Sequence, residues 1–176
     1  MMLRKPTCAD CPHNLQYMES LPIKKKGVTM HLGERFCVAG KHARKFKRSD
    51  PKTYVPSWCP MLKTPCELRI YGFKNQREWR MHRSMRAYLG EDTSPSAFRY
   101  AVRYEGHTDL APYEFFECCN EKSDDEILGA AVQHYDVVEI DDGIKPAFFY
   151  KTEHGYELLF SFDAKTAKKN IREEID

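Results

Sequence analysis

The sequence lacks any run of about 20 apolar residues, the length a membrane-spanning helix needs, and its mean hydropathy is −0.67. Its opening residues, MMLRKPTCADC, hold no apolar stretch, so no secretory leader is expected and the chain reads as cytoplasmic, without a membrane partner. It has no P-loop, GxGxxG, HExxH or GxSxG motif, which removes the familiar signatures of nucleotide, metallopeptidase and hydrolase chemistry. There is no helix-turn-helix signature, internal repeat or low-complexity tract. What is present suffices for a packed core: of 176 residues, 41% are hydrophobic and 12% aromatic, which excludes wholesale disorder.

The net charge of +2 conceals an uneven distribution. Residues 1–90 hold 19 Lys+Arg and 6 Asp+Glu, a balance of +13, and residues 91–176 hold 9 and 20, a balance of −11. The division predicts a basic, Cys-rich lobe over 1–90 and an acidic lobe over 91–176, giving either one surface that attracts phosphate and one that repels it, or two halves whose opposite charges only aid their docking. Gly90 suits a helix C-cap, and Ser94-Pro95 suits the start of the next helix.

In the first lobe, alternation over 28–32 and 35–38 predicts a hairpin across Gly33-Glu34, with Met30 opposite Cys37 and His31 on the other face with Phe36. CELRIYGF (66–73) reads as a strand, and 75–89 as a helix with Met81, Met85, Tyr88 and Leu89 on one side. In the second lobe helices are expected over 96–104, after Pro112, and from the capping box Ser123-Asp124-Asp125-Glu126 to about Tyr135. A strand over 137–140, a hairpin of 147–152 with 156–162, and a final helix capped by Asp163 complete the pattern. The fold class is therefore α+β: a zinc-stapled basic lobe, then a small antiparallel sheet packed with helices.

Cys8-Ala9-Asp10-Cys11 sets two thiols at the CxxC spacing that lets both sulfurs face one ion, while Cys37 and Cys59 are singletons. In a reducing compartment such a set points to metal rather than disulfides. Four thiolates about 2.3 Å from Zn²⁺ make a closed, structural site, contributing ~10–16 kcal/mol of apparent binding energy toward folding. Cys66 can stand in for Cys59, and His13, His31 or His42 for a sulfur, although the expected hairpin register argues against His31. An iron–sulfur cluster also takes four Cys, and without metal these residues are buried hydrophobes or a redox pair. The vicinal pair Cys118-Cys119 is read as structural.

Three basic clusters stand out: Lys24-Lys25-Lys26; the segment 41–48 with Arg44, Lys45, Lys47 and Arg48; and the row Lys74, Arg77, Arg80, Arg83, Arg86. A cation every third residue on a helix winds through roughly 240°, a spiral stripe able to follow a phosphate backbone or an acidic partner. Trp79 within it can stack on a base or anchor an interface, or else sit in the core beneath a solvated basic helix. The acidic pairs Asp124-Asp125 and Asp141-Asp142 could hold Mg²⁺ for a nuclease, but one opens a helix and the other precedes a turn glycine. His107, His134 and His154 have no evident nucleophile partner, so catalysis is not expected.

The stretches HLGERFC (31–37), DPKTYVPSWCP (50–60) and CELRIYGF (66–73) resemble those of small uncharacterised Cys-containing proteins carried on mobile elements of gut bacteria. Cys37, Cys59 and Cys66 lie in those stretches; Cys8 and Cys11 do not. The resemblance implies a role in DNA handling or in disarming host defences. The expectation is a non-enzymatic, zinc-stabilised protein that contacts nucleic acid or a nucleoprotein complex. One alternative is an anti-CRISPR type inhibitor that binds a CRISPR effector by protein contact or DNA mimicry. The other is a metal-dependent nuclease.

Overall fold

The computed structural model describes residues 6–51, 54–90 and 94–173. The chain divides into two compact units between Leu62 and Lys63. The division expected after Gly90 is displaced because residues 66–73 supply the central strand of the second unit's sheet. The helix after that strand goes with it, so the arginine row leaves the basic lobe. Residues 1–62 hold 12 Lys+Arg against 4 Asp+Glu, and residues 63–176 hold 16 against 22.

The N-terminal unit opens with a 3₁₀ turn at Cys8–Asp10, followed by five short strands. These are β1 (Asn14–Gln16), β2 (Ile23–Lys25), β3 (Val28–Met30), β4 (Arg35–Cys37) and β5 (Arg44–Lys45). β2 and β3 form a hairpin across Lys26 and Gly27, whose φ values of 48° and 78° are those of a type I′ turn. The other three form an antiparallel sheet in the order β1-β4-β5.

The expected pairing of 28–32 with 35–38 does not form, and Ile23, not Cys37, lies opposite Met30. The reason lies in the backbone around Tyr17. Its N–H donates to the Glu34 carbonyl (2.9 Å) and its carbonyl accepts from the Gly33 N–H (2.8 Å), so β1 occupies the edge of β4 that β3 was expected to take. The 31–34 segment is a tight turn, with the His31 N–H donating to the Glu34 carboxylate at 3.0 Å. Tyr17, Met30, Phe36 and Ala43 form the core of this unit, with Leu15, Val28 and Val38 packed against it.

The C-terminal unit runs β6 (Cys66–Phe73), α1 (Gln76–Leu89), a 3₁₀ turn (Ala97–Arg99), β7 (Tyr100–Thr108), α2 (Pro112–Cys118) and α3 (Asp124–Leu128). It continues with β8 (Val137–Asp141), β9 (Ala147–Thr152), β10 (Gly155–Leu159) and α4 (Ala164–Lys169). Its five strands form an antiparallel sheet in the order β10-β9-β8-β6-β7. Helices plus antiparallel sheets make the class α+β.

β6 alternates buried and half-buried residues from Cys66 to Ile70, with Glu67 and Arg69 outward, and is buried without a break from Ile70 to Phe73, where both faces of the sheet are covered. Leu68, Ile70, Val138, Ile140 and Phe149 meet Phe115, Cys119 and Leu128 on one face. Tyr71, Phe73, Val137 and Tyr150 meet Tyr100, Trp79 and Ala167 on the other. Pairing of β6 with β7 slips between Ile70 (opposite Tyr104) and Tyr71 (opposite Val102), leaving Arg103 as the extra residue of a bulge. Arg103 ion-pairs there with buried Asp136.

Three expectations in this unit are corrected. Residues 96–104 are a 3₁₀ turn and the start of β7, because Tyr100, Ala101 and Val102 pack into the sheet while Ser96, rather than Ser94, precedes a single turn without a side-chain capping bond. Residues 91–93 lie outside the described ones. α3 stops at Leu128, where Gly129 turns left-handed at φ 63°, instead of running to Tyr135. On α1 the inward residue is His82, whereas Met81, Tyr88 and Leu89 are exposed.

Local signals elsewhere act as their chemistry dictates. Asn75 caps α1 by accepting from the Glu78 N–H at 2.9 Å, the Ser123 N–H donates to the Glu126 carboxylate at 3.3 Å, and Asp163 caps α4 through the Thr166 N–H at 3.1 Å. Among the described residues no helix is long and apolar enough to cross a membrane.

Replacing the fully buried Phe149 with Ala is expected to cost about 3–5 kcal/mol of stability. Tyr88→Ala, at a residue 90% exposed, should change it by less than about 0.5 kcal/mol. Urea unfolding of the two variants checks the pair, and a comparable loss for Tyr88→Ala would show that α1 buries a different face.

Candidate metal centre and basic surfaces

The four cysteines Cys8, Cys11, Cys37 and Cys59 all belong to the N-terminal unit. Cys8 opens the 3₁₀ turn, and the Cys11 N–H closes it on the Cys8 carbonyl at 3.3 Å. Asn14 ties this turn to the sheet: its N–H donates to the Cys11 carbonyl (3.1 Å) and its Nδ2 to the Cys8 carbonyl (2.8 Å). Asn14 in turn stands opposite Cys37 across the β1–β4 pair.

Cys37 stands opposite Arg44 on β5, whose guanidinium carbon lies 4.2 Å from the Trp58 ring centroid. Cys59 follows, with its N–H on the Pro56 carbonyl at 2.9 Å. A continuous chain of backbone pairs and contacts therefore links all four residues.

Their electrostatics agree with that linkage. The Cys8 thiol is held above its ordinary range by burial first, then by Cys59, Cys11 and Cys37, with Arg35 pulling the other way. The cysteines are thus within electrostatic reach of one another. Among the described residues, however, no three His, Cys, Asp or Glu side chains are grouped as a metal ion needs. What is observed is a set of neighbouring thiols, not a formed coordination shell.

The possible substitutes are placed differently. Cys66 begins β6 in the other unit, in the core with Leu68, where burial and the carboxylates of Asp142 and Glu114 push its thiol up to about 11. His13 accepts from the Val38 N–H through its carbonyl at 2.9 Å, and His31 and His42 are exposed. Cys119 is buried with Phe115, and burial raises its thiol to about 11. Of the acidic pairs, Asp141, Asp142 and Asp124 are engaged structurally. Asp141 ion-pairs with Lys63 at 2.8 Å, Asp142 accepts from the Ile144 and Lys145 N–H groups, and Asp124 pairs with Lys151.

The expected basic contacts divide between the units. Arg44, Lys45, Lys47 and Arg48 are exposed on the N-terminal unit; Lys45 pairs with Glu34, and Arg44 stacks on Trp58. The sequence reading missed that this stack continues, Trp58 to Phe46 at 5.3 Å and Phe46 to Arg35 at 5.4 Å. Two aromatics between two arginines were visible as residues, but not as neighbours. Trp58 is fixed further by its Nε1 donating to Asp50 at 3.0 Å.

On the C-terminal unit Lys74 is half-buried, and Arg77, Arg80 and Arg83 are exposed along α1. Arg86 is half-buried, 4.8 Å from the Tyr135 ring centroid, and Trp79 packs against the core. The row is thus two-sided: its middle faces solvent, and its end leans into the unit.

α1 is seated by His82, buried to 3% exposure, with its Nε2 2.8 Å from the Tyr150 hydroxyl. Burial, then Arg86 and Arg99, push the imidazole down to about 4. A base whose folded value lies below its ordinary 6.5 contributes stability that is full above that pH and lost as pH falls toward about 4. Asp136, raised by burial to about 6 against the pull of Arg103, runs the opposite way across the same window. The Tm of the protein minus that of His82→Asn should therefore shrink between about pH 7 and about pH 4.5. An unchanged difference in calorimetry would count against His82 as the seat of α1.

Set against known proteins, the chain matches no family model, no curated protein and no solved structure.

Proposed function

We propose that this is a non-enzymatic, zinc-stabilised binding protein whose N-terminal unit contacts nucleic acid or a nucleoprotein complex. The observation that carries the reading is the linkage of Cys8, Cys11, Cys37 and Cys59 through Asn14, Arg44 and Trp58 in a unit with few other sources of stability. Four thiolates brought together repel one another, and a divalent cation removes that repulsion. Zn²⁺ held by the four sulfurs would act structurally, with no open position for chemistry. The excess of cations in residues 1–62, with Arg44, Lys47 and Arg48 exposed, suits a phosphate backbone. Nothing in the arrangement reads base sequence, so contact through charge and stacking is the expected mode.

Two measurements test this reading. Elemental analysis should find about one zinc per chain, lost in Cys8→Ser and Cys59→Ser with a marked drop in Tm, and retained in Cys118→Ser. A metal-free protein that melts at the same temperature as Cys8→Ser would overturn the stapled unit. A coloured protein with iron in place of zinc would replace zinc by a cluster.

The second measurement is the salt dependence of single-strand binding. Log affinity should fall steeply with log salt, and Arg44→Ala with Lys47→Ala should reduce the slope by about one per contact removed. A flat response would remove nucleic acid as the partner.

A further inference from the structure

The C-terminal unit holds a cleft of about 720 Å³ between one face of α1 and the loop preceding β8. Gln76, Trp79 and Arg83 line it from α1, at the i, i+3, i+7 spacing of a single helix face; Gln133 and Tyr135 line it from the loop, and Glu153 from the β9–β10 turn. That size suits a ligand of nucleotide dimensions.

The loop side is built with unusual constraint. Tyr135 has φ 72°, a left-handed conformation that a bulky side chain rarely adopts. Its surroundings enforce it: the Tyr135 N–H donates to the Lys151 carbonyl at 2.6 Å, its carbonyl accepts from the buried Tyr100 hydroxyl at 2.9 Å, and its own hydroxyl donates to Glu153. Arg86 and His82 back the ring, with a centroid distance of 5.3 Å to the imidazole. Buried neighbours thus fix a strained aromatic at the rim of a cavity.

We propose that this cleft is a binding site for a single nucleotide bearing an amino group on its base. Trp79, partly buried against the core, offers the ring face that Arg83 covers, and a base stacks there as Arg83 turns aside to the phosphate. Arg83, whose guanidinium carbon is 5.5 Å from the Trp79 ring centroid, is the cation for the phosphate. Gln76 and Gln133 present amides to the base edges, and the Glu153 carboxylate accepts from the exocyclic amino group while repelling a phosphate placed beside it. Adenine, cytosine and guanine carry that amino group; uracil and thymine do not. The nucleotide is either free or one unstacked residue of a single strand, and the recognition chemistry is the same for both. In the strand form the proposal rests on the nucleic-acid reading above; in the free form it stands alone.

The test is isothermal titration of the full-length protein with adenosine monophosphate, uridine monophosphate, and ten-residue oligo(A) and oligo(U). The adenine ligands should bind about tenfold more tightly than the uracil ones, the worth of a hydrogen bond to a charged acceptor. Trp79→Leu should weaken adenine binding by about tenfold or more, while Trp79→Phe, which keeps a ring, stays within about threefold. Arg83→Ala should weaken every ligand and lower the salt slope by about one. Circular dichroism melting of each variant separates lost binding from lost fold, and Arg83→Ala, at an exposed residue, carries the test if Trp79→Leu does not fold.

Monophosphate binding alone assigns a free nucleotide, and oligo(A) binding alone assigns a strand; both support the site. Oligomer binding that ignores base identity and survives Trp79→Leu and Arg83→Ala overturns the cleft but leaves the basic-unit reading intact. Adenine selectivity that survives Arg44→Ala with Lys47→Ala supports the cleft even where the basic-unit reading fails. No binding of any of the four ligands overturns the proposal.

Discussion

The N-terminal unit has almost no core to hold it. Four residues are buried together, Tyr17, Met30, Phe36 and Ala43, and its five strands are two or three residues long. Below about 70 residues one hydrophobic core rarely supplies more than ~3–5 kcal/mol, and small scaffolds add a disulfide, a metal or a partner. All seven cysteines are free; the polar ties around Cys8, Cys11, Cys37 and Cys59 hold this part of the unit together, and zinc on those thiols is the staple we propose. Asn14 is central among those ties because one side chain and one amide fasten the Cys8–Cys11 turn to the strand opposite Cys37. The Arg44–Trp58 contact does the same for Cys59 from the other edge.

The C-terminal unit meets the opposite condition, with apolar side chains on both faces of one sheet and helices needed to cover each. That explains the constraint on α1. A helix with only His82 buried cannot seat itself by apolar area alone. It is fixed instead by a polar contact to Tyr150 and by the aromatic neighbours Phe73 and Tyr135. Trp79 and Arg86 lean into the unit beside it, and Arg77, Arg80, Arg83 and Tyr88 face solvent.

Elements governed by neighbouring residues were legible in the sequence. The 66–73 strand, the cap at Asp163 and the β9–β10 hairpin all follow from side chains within a few positions of where they act. Pairings decided at a distance were not. The alternation at 28–30 and 35–37 is genuine, but which strand β4 joins depends on Tyr17, which holds the 33–34 turn from well outside either stretch. Tyr100 to Tyr104 carries the spacing of a short helix and the composition of a strand. Edge pairing with β6, including the bulge at Arg103, decides in favour of the strand. Of the candidate site, the CxxC and the two single cysteines are visible in the sequence, and the fold puts all four in one unit without grouping three of them as a metal ion needs. The aromatic–arginine stack beside them and the cleft around Tyr135 were not, since both depend on loops folding back.

Moving the division from Gly90 to Leu62 changes what the charge distribution means. A basic lobe of +13 facing an acidic lobe of −11 suggests two surfaces of opposite purpose. With the observed division the N-terminal unit keeps a moderate positive excess, and the arginines of α1 sit in a unit whose overall charge is negative. Long-range attraction of a polyanion then belongs mainly to the first unit. In the second, a phosphate would be repelled by the whole and attracted only where Arg83 and its neighbours are concentrated, within about a Debye length of 8–10 Å. A local cation in a negative field selects a small anionic ligand at one place over a long one spread across the surface. The same charges that look like half of a nucleic-acid footprint along the sequence therefore make, on the folded unit, a better case for a single site.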